Sequence, residues 1–394
     1  MSRPGIYRLA KTVYLGSDTS LIFGNGVRIQ KEDEAGPCTH VFLNKGALTR
    51  TWDQNIVIDG LHLVINGVSV RDYQIYGLMG HLAFFYVKDL LIRRFRCYDL
   101  LAAQFTIHIC TFEDLVIDDV IIQGEKDGIH LGRGKRFTIR NGVFKTFDDA
   151  VALNAHDWTV ANPELGWLEE GLVENCWDLD AEATTGYFCR ILAGAWKDWF
   201  SGMEVRRCDS VVSEGRLYRV DSEPDGTVFQ SDTRPTHGEG LEVIDGIPWR
   251  MMQREAVYSA GVRNVTFRNI FLQKSRIGFS FHFCDNRWSR SYYPEAKPPL
   301  QESFFFEGIR CQQPDPLEWI QVRTPVNAIT VSHSEIGDHP LFFRKNTPIQ
   351  DFGPTALTWI GCRYNGESLE DLVVNEVQGK TIKMQEWACS RFDH

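Results

Sequence analysis

A short phrase of alternating polar and apolar residues recurs along the chain, and each copy carries an apolar anchor at the same place. Three well-matched copies are 89–95, 114–120 and 136–142, whose anchors Ile92, Ile117 and Ile139 are separated by 25 and then 22 residues. Further copies surround other anchors, namely Ile58, Val173, Val205, Phe267, Phe306, Val331 and Trp359. This period is typical of a β-solenoid with three short strands per turn, in which equivalent residues become neighbours about 4.8 Å apart.

Two further positions of the phrase have a structural meaning. Residues that tolerate a tight turn occur two positions after the anchor, and we predict a corner there: Arg94, Asp119, Asn141, Asn175, Arg207, Asn269, Gly308, His333 and Gly361. Mostly apolar residues occur three positions after the anchor, and we predict an interior column there: Phe95, Val120, Cys176, Cys208, Ile270, Ile309 and Cys362, interrupted by Gly142 and Ser334.

Other fold classes fit this pattern less well. Few windows longer than about ten residues have apolar residues at helical spacing, and the strands of a sandwich or barrel usually recur every 8 to 12 residues or so. A solenoid core grows along one axis, so all 394 residues can form one domain, 1–394. The longer gaps between copies predict loops inserted between coils, near 156–170, 221–258 and 285–300.

Composition narrows the classes of partner. The formal charge of −10 is spread along the chain, which argues against nucleic acid or an anionic membrane as the main partner. None of the ten cysteines forms a CxxC pair, so we expect free buried thiols and neither a zinc site nor any other metal or cofactor. No apolar signal region or membrane span is evident, so we expect a soluble protein, and the sequence leaves its compartment and oligomeric state open.

Two acidic turns lie one repeat apart. Asp127 precedes the strand-like segment 129–131, and Asp148 and Asp149 precede the segment 151–154. If these segments stack, the three carboxylates share one patch, where mutual repulsion keeps one carboxyl protonated while another stays ionised. Such a pair suits acid and base catalysis at a glycosidic bond.

The segments Asp127-Gly128-Ile129-His130-Leu131 and 148–154 resemble the paired signatures of glycoside hydrolase family 28, the polygalacturonase-like enzymes. The resemblance implies a right-handed parallel β-helix from about residue 7 to residue 385, and hydrolysis with inversion. It implies Asp149 as the general acid, with Asp127 and Asp148 activating water. The spacing of adjacent coils alone would favour retention, because carboxylates about 4.8 Å apart are closer together than those of most inverting enzymes. We predict inversion.

Three departures concern the substrate. The first turn reads Glu125-Lys126-Asp127 where the family usually has Asn-Thr-Asp, and Gly186–Arg190 is the nearest candidate for the family's Gly-His-Gly. The segment Arg216–Arg219 stands where the family has Arg-Ile-Lys, so specificity for galacturonate is open. Tyr187, Arg190 and Arg219 are nevertheless candidates for substrate binding.

The inserted loops supply further candidates, because aromatic faces suit sugar C–H surfaces and Arg suits hydroxyls or carboxylates. These are His156, Trp158, Arg287, Trp288 and Tyr292. His130 follows Asp127 by three residues, so in a regular strand it faces the opposite side and has a structural role. Two other functions stay open: a β-helix polysaccharide lyase with a Lys or Arg base, and a non-catalytic carbohydrate-binding or spike-like protein.

Overall fold

The computed structural model describes residues 1–32, 40–68, 74–101, 105–315, 317–345 and 352–392. The first strands are β1 Gly5–Leu9, β2 Val13–Leu15, β3 Ser20–Ile22, β4 Val27–Lys31, β5 Phe42–Asn44, β6 Asp53–Asp59, β7 His62–Val64, β8 Leu82–Leu100, β9 Ile107–Gly124, β10 Ile129–Leu131, β11 Gly134–Thr146, β12 Val151–Asn154, β13 Leu168–Asp178 and β14 Cys189–Leu192. A second group follows: β15 Gly194–Ala195, β16 Lys197–Asp198, β17 Met203–Arg206, β18 Ser210–Ser213, β19 Arg216–Val220, β20 Val228–Ser231, β21 Leu241–Ile244, β22 Ile247–Gln253 and β23 Ser259–Ala260.

The last group contains β24 Val262–Leu272, β25 Phe279–His282, β26 Glu302–Glu307, β27 Arg310–Cys311, β28 Ile320–Val322, β29 Ala328–Ser332, β30 Glu335–Gly337, β31 Leu341–Phe343, β32 Thr355–Ile360, β33 Arg363–Tyr364, β34 Val373–Asn375, β35 Ile382–Trp387 and β36 Ser390–Arg391. Within the described residues, two short 3₁₀ helices span Lys45–Leu48 and Glu370–Leu372. No helix in the described ranges is long and apolar enough to cross a membrane.

Among the residues that the structure describes, the first and last groups form one parallel sheet of 27 strands wound into a right-handed β-helix, as predicted. Its register follows the repeated phrase, because the predicted anchors are direct partners from coil to coil. The column runs Ile58, Ile92, Ile117, Ile139, Val173, Phe267, Phe306, Val331 and Trp359. All nine are buried, so stacking places one apolar side chain per coil in the core.

The predicted corners are also confirmed. Eight of the nine corner residues have the positive φ of a left-handed turn: Arg94, Asp119, Asn141, Asn175, Asn269, Gly308, His333 and Gly361. Glycine and Asn adopt this conformation at the lowest cost. Side-chain amides link three of these corners, because Asn269 donates to Asn175 over 3.1 Å and Asn175 donates to Asn141 over 3.4 Å. The interior column after each corner is buried, including Cys176 and Cys362.

One predicted coil is wrong. Val205 lies in β17, which pairs antiparallel with β20, and Val173 pairs directly with Phe267 across the gap. The nine strands β15–β23 form three small sheets of their own. Residues 194–260 are therefore an inserted unit whose strands pair mostly antiparallel. It contains the loop predicted at 221–258, and Arg207 and Cys208 belong to it. The segments 156–167 and 285–300 contain no named strand.

The cysteines of the described residues are free, and most are buried, as predicted. Burial raises the pKa of Cys176 to about 12, so this thiol stays protonated and packs as a small apolar side chain.

Candidate active site

The acidic turns meet because β10 and β12 are paired in parallel, with Ile129 opposite Val151. The backbone N–H of Gly128 donates to the carbonyl of Asp149 over 2.9 Å, which fixes one turn against the other. A Cβ on Gly128 would lie 2.6 Å from the carbonyl oxygen of Ala150, so only glycine permits this approach. As a result, carboxylate oxygens of Asp127, Asp148 and Asp149 lie within 4.8 Å of one another.

The three carboxylates differ in exposure and in partners. Asp149 is fully buried, accepts the backbone N–H of Tyr187 over 2.9 Å, and has Arg190 Nε 2.9 Å from its Oδ2. Asp148 is partly exposed, and its Oδ2 lies 2.6 Å from Lys126 Nζ. Asp127 is almost fully buried. Lys126 is therefore paired with Asp148, and Arg190 with Asp149.

These surroundings separate the protonation states. Burial raises the pKa of Asp127 well above its ordinary value, and the nearby charge of Asp148 adds to this rise. Burial also acts to raise the pKa of Asp148, but Lys126 and Arg190 outweigh it, and the net pKa is lowered. Burial raises the pKa of Asp149 despite the opposing charge of Arg190. These shifts favour the protonated form of Asp127 and the ionised form of Asp148 beside it.

His130 contacts the cluster, contrary to the prediction from strand alternation. Its Nδ1 lies 3.0 Å from Asp127 Oδ2, because Asp127 belongs to the turn before β10 and does not follow the alternation of the strand. The ring is stacked on Phe105 with centroids 4.1 Å apart. Burial lowers the pKa of His130 to about 3, so the imidazole is neutral. It fixes the orientation of the Asp127 carboxyl.

A cavity of about 540 Å³ opens above the cluster. Its acidic and basic lining residues are Lys126, Asp127, Asp148, Asp157 and Arg190, and its other lining residues are Met79, Phe105, Trp158, Cys284, Asn286, Trp288 and Ser289. The rings of Trp158 and Trp288 meet edge to face at 6.4 Å. The loops that contain 156–158 and 284–289 thus form aromatic walls over a charged floor.

Several predicted substrate-binding residues lie at this cavity. Arg190, Trp158 and Trp288 line it, and the guanidinium of the exposed Arg287 lies 4.6 Å from the centre of the Trp288 ring. Tyr187 reaches the cluster through its backbone N–H, and its ring contacts that of His282.

Three other predicted substrate-binding residues are buried inside the protein and do not line this cavity. Arg219 belongs to β19 of the inserted unit and donates to His156 Nε2 over 3.0 Å and to the carbonyl of Asp157 over 2.8 Å. Both Arg219 and His156 are fully buried. The Tyr292 hydroxyl donates to the carbonyl of Ala296. These side chains hold the loops in place, so the prediction of direct substrate contact is wrong for them. The segment Arg216–Arg219 does not stand in the next coil, where the family has Arg-Ile-Lys. The strand stacked on β14 is β25.

Asp157 also lines the cavity, although it is not among the candidate residues named from the sequence. Its Oδ2 accepts from Arg190 over 2.8 Å and from Asn154 over 2.7 Å, so it helps to position Arg190 beside Asp149. The signal was available, since Asp157 follows the second acidic strand and Ala152 on that strand pairs with Arg190. Arg276 was also missed, and its Nη1 donates to the carbonyl of Asp148 over 2.6 Å.

The three carboxylates are close enough to bind a metal ion together. However, Lys126 and Arg190 already supply positive charge within 2.9 Å of Asp148 and Asp149. A bound cation would have to displace or repel both side chains, so the ion pairs disfavour a metal at this site.

No protein-family model and no curated protein matches the chain. Among solved structures, it is similar to a family 28 exopolygalacturonase of Yersinia enterocolitica, with 12% identity, a TM-score of 0.43, and 98% of this chain and 70% of that chain covered. The chain is also similar to the surface adhesin PfbA of Streptococcus pneumoniae, with 11% identity and a TM-score of 0.43, and the match covers 99% of this chain and 90% of that chain. A third similar structure is an endo-xylogalacturonan hydrolase of Aspergillus tubingensis, with 9% identity and a TM-score of 0.37, and the match covers 99% of this chain and 84% of that chain. Matches this distant carry no conclusion about activity or substrate.

Proposed function

We propose that the protein is a glycoside hydrolase that cleaves a glycosidic bond in a poly- or oligosaccharide by acid and base catalysis. One observation carries the proposal. Asp127 and Asp148 line the same cavity, and their pKa values are shifted in opposite directions, upward for Asp127 and downward for Asp148. A protonated and an ionised carboxyl side by side are the pair that glycoside hydrolysis requires.

The burial of the three carboxyls suggests their roles. Asp127 donates its proton to the leaving oxygen, and Asp148 takes a proton from the attacking water. The sequence resemblance implied Asp149 as the acid, but Asp149 has no accessible surface and is held between Arg190 and the Tyr187 N–H. A proton donor must reach the glycosidic oxygen. We therefore assign Asp149 the task of holding Arg190 and the acidic turn in position.

The cavity walls favour a carbohydrate. Trp158 and Trp288 offer apolar faces for sugar rings. Lys126 and Arg190 place two cations at the floor of the cavity, which suits a uronate carboxylate and supports a pectin-like substrate. We retain inversion, because the 2.6 Å pairing of Asp148 with Lys126 suits a carboxylate that orients water better than one that attacks the anomeric carbon.

A lyase mechanism is less compatible with this site. A lyase base has to give up its own proton before it takes one from the sugar. Burial acts to lower the pKa of Lys126, but Asp148 and Asp127 outweigh it and the net pKa is raised. The pKa of Arg190 is likewise raised above its ordinary value by its three acidic neighbours, despite burial. Both cations therefore stay protonated.

The test is a screen of plant, algal and bacterial glycans with detection of new reducing ends. The matched control is the double variant Asp127→Asn, Asp148→Asn. We expect cleavage by the wild-type protein, none by the control, and a first product of inverted anomeric configuration by proton NMR. Products that absorb in the ultraviolet would identify a lyase instead. Glycan binding without any cleavage would identify a non-catalytic protein.

Replacing Lys126 by Met should shift the pH profile of kcat/KM to higher pH. Activity requires ionised Asp148, so it falls as pH drops through the lowered pKa of Asp148, and it requires protonated Asp127, so it falls as pH rises through the raised pKa of Asp127. Lys126 lowers the pKa values of both Asp148 and Asp127, so its loss should move the acidic and the basic limb of the pH profile to higher pH. Lys145→Met, at an exposed lysine of β11, is the control and should leave the profile unchanged. An unchanged profile in Lys126→Met would contradict the assigned roles.

A further inference from the structure

A second concave surface lies outside the candidate active site. Three adjoining cavities of about 540, 580 and 890 Å³ share lining residues, since Trp52 and Arg133 line the first two, and Trp167 and Tyr258 line the first and the last. None of their lining residues lines the acidic cavity. We call this continuous surface the lateral groove.

The register of the solenoid explains the direction of the groove. Its floor is formed by the residues just before five stacked strand segments, one per coil: Trp52, Tyr86, Thr111, Arg133 and Trp167. Trp52 and Trp167 are four coils apart, or about 19 Å along the axis. The groove therefore runs along the helix axis and is long enough for an extended chain molecule.

Aromatic rings are presented along this length. Trp52 is 41% exposed and Tyr258 is 47% exposed, which is unusual for side chains of this size. Two of the rings are held by cations, because Lys88 Nζ lies 4.6 Å from the centre of Trp52 and the guanidinium of Arg263 lies 4.9 Å from that of Trp167. Rings fixed in this way lose little conformational freedom when a ligand stacks on them.

The charges of the groove are balanced in pairs. Arg133 lies 2.6 Å from Glu255 and Lys135 lies 3.4 Å from Glu113, while Arg263 is paired with Glu169. These are the three cations and the three anions of the first cavity. A polyanion would meet no excess of positive charge, whereas a neutral polyol can use guanidinium donors and carboxylate acceptors together.

We propose that the lateral groove binds an uncharged oligosaccharide segment, in a site separate from the acidic cavity. Ring stacking on Trp52, Trp167 and Tyr258 supplies the contact area, and the paired charges supply hydrogen bonds to hydroxyls. A polymer held in the groove presents its other segments to the acidic cavity at a raised effective concentration. The binding itself does not depend on hydrolysis.

The test is affinity gel electrophoresis against soluble neutral polysaccharides: hydroxyethyl cellulose, xyloglucan, galactomannan and galactan, with polygalacturonate as the anionic comparison. The protein carries Asp127→Asn and Asp148→Asn throughout, so that no glycan is degraded. We expect at least one neutral glycan to retard it, and we expect Trp52→Ala and Trp167→Ala each to weaken this retardation about tenfold or more, as truncation of a central aromatic does. Trp387→Ala, at a tryptophan 62% exposed in β35, is the matched control and should have no effect.

Two results would overturn the proposal. One is that no neutral glycan retards the protein. The other is that retardation survives both groove variants but is lost in Trp288→Ala, which would place the glycan in the acidic cavity. Because binding is measured in an inactive background, a failure of the groove proposal leaves the hydrolase proposal intact, and the reverse also holds. Circular dichroism spectra of the groove variants verify that each is folded.

Discussion

Asp148→Asn should reduce kcat/KM by about 10³-fold or more on every glycan that the wild-type protein cleaves, and Asp127→Asn by about 10²- to 10⁴-fold. Asn cannot accept a proton from water as a carboxylate does, and it cannot donate a proton to the leaving oxygen. Both variants keep nearly the same side-chain volume, so the cavity is preserved. Initial rates of reducing-end release measure the effect.

The two variants should differ on activated substrates. An aryl glycoside with a dinitrophenol leaving group departs without protonation, so Asp127→Asn should recover most of its lost activity on such a substrate. Asp148→Asn should remain inactive, because water still needs a base. If Asp148→Asn recovers activity on this substrate and Asp127→Asn does not, then Asp148 is the acid and Asp127 is the base. Recovery by Asp149→Asn alone would restore the assignment implied by the sequence resemblance.

The matched control for these variants is Asp114→Asn. Asp114 is ion-paired with Arg136 on the surface, outside the acidic cavity. This change should leave kcat/KM unchanged and cost no more than about 1 kcal/mol of stability. A large loss of activity in Asp114→Asn would mean that the assay reports folding and not chemistry.

The stacking of the coils was predictable from the sequence because a parallel sheet repeats the same environment at each step. Ile92, Ile117 and Ile139 occupy one column, and a residue that tolerates positive φ recurs two positions later for the same steric reason. Val205 fits the same local phrase but lies in an antiparallel strand. Local alternation is identical in the two kinds of strand, so the sequence could not distinguish them.

The acidic cluster was predictable for the same reason, but its chemistry was not. Sequence spacing brings Asp127 beside Asp148 and Asp149, whereas the pKa values depend on contacts from distant segments. Arg219 illustrates the limit. It was a candidate for substrate binding in the segment Arg216–Arg219, and only the folded inserted unit shows that it is buried against His156. Burial of long polar side chains depends on tertiary packing, which no local pattern encodes.

Arg190→Leu should destabilise the protein by about 3 to 5 kcal/mol, because it removes the cation from between two buried carboxylates. Arg190 lies 2.9 Å from Asp149 and 2.8 Å from Asp157, and both are almost fully buried. Urea denaturation at pH 7 measures the loss. Arg140→Leu, which breaks a surface ion pair with Asp118, is the control and should cost less than about 1 kcal/mol.

The deficit of Arg190→Leu should shrink as the pH falls. Without the guanidinium, burial raises the pKa of Asp149 even further above its value in the unfolded chain. The folded variant then binds more protons than the unfolded chain, so its stability rises relative to that of the wild-type protein as the pH drops towards the unfolded pKa. Adding Asp149→Asn should recover part of the loss at pH 7, since a neutral amide needs no counter-charge. If the deficit is independent of pH and Asp149→Asn adds to it, then Arg190 stabilises the fold by packing and not by neutralising these carboxylates.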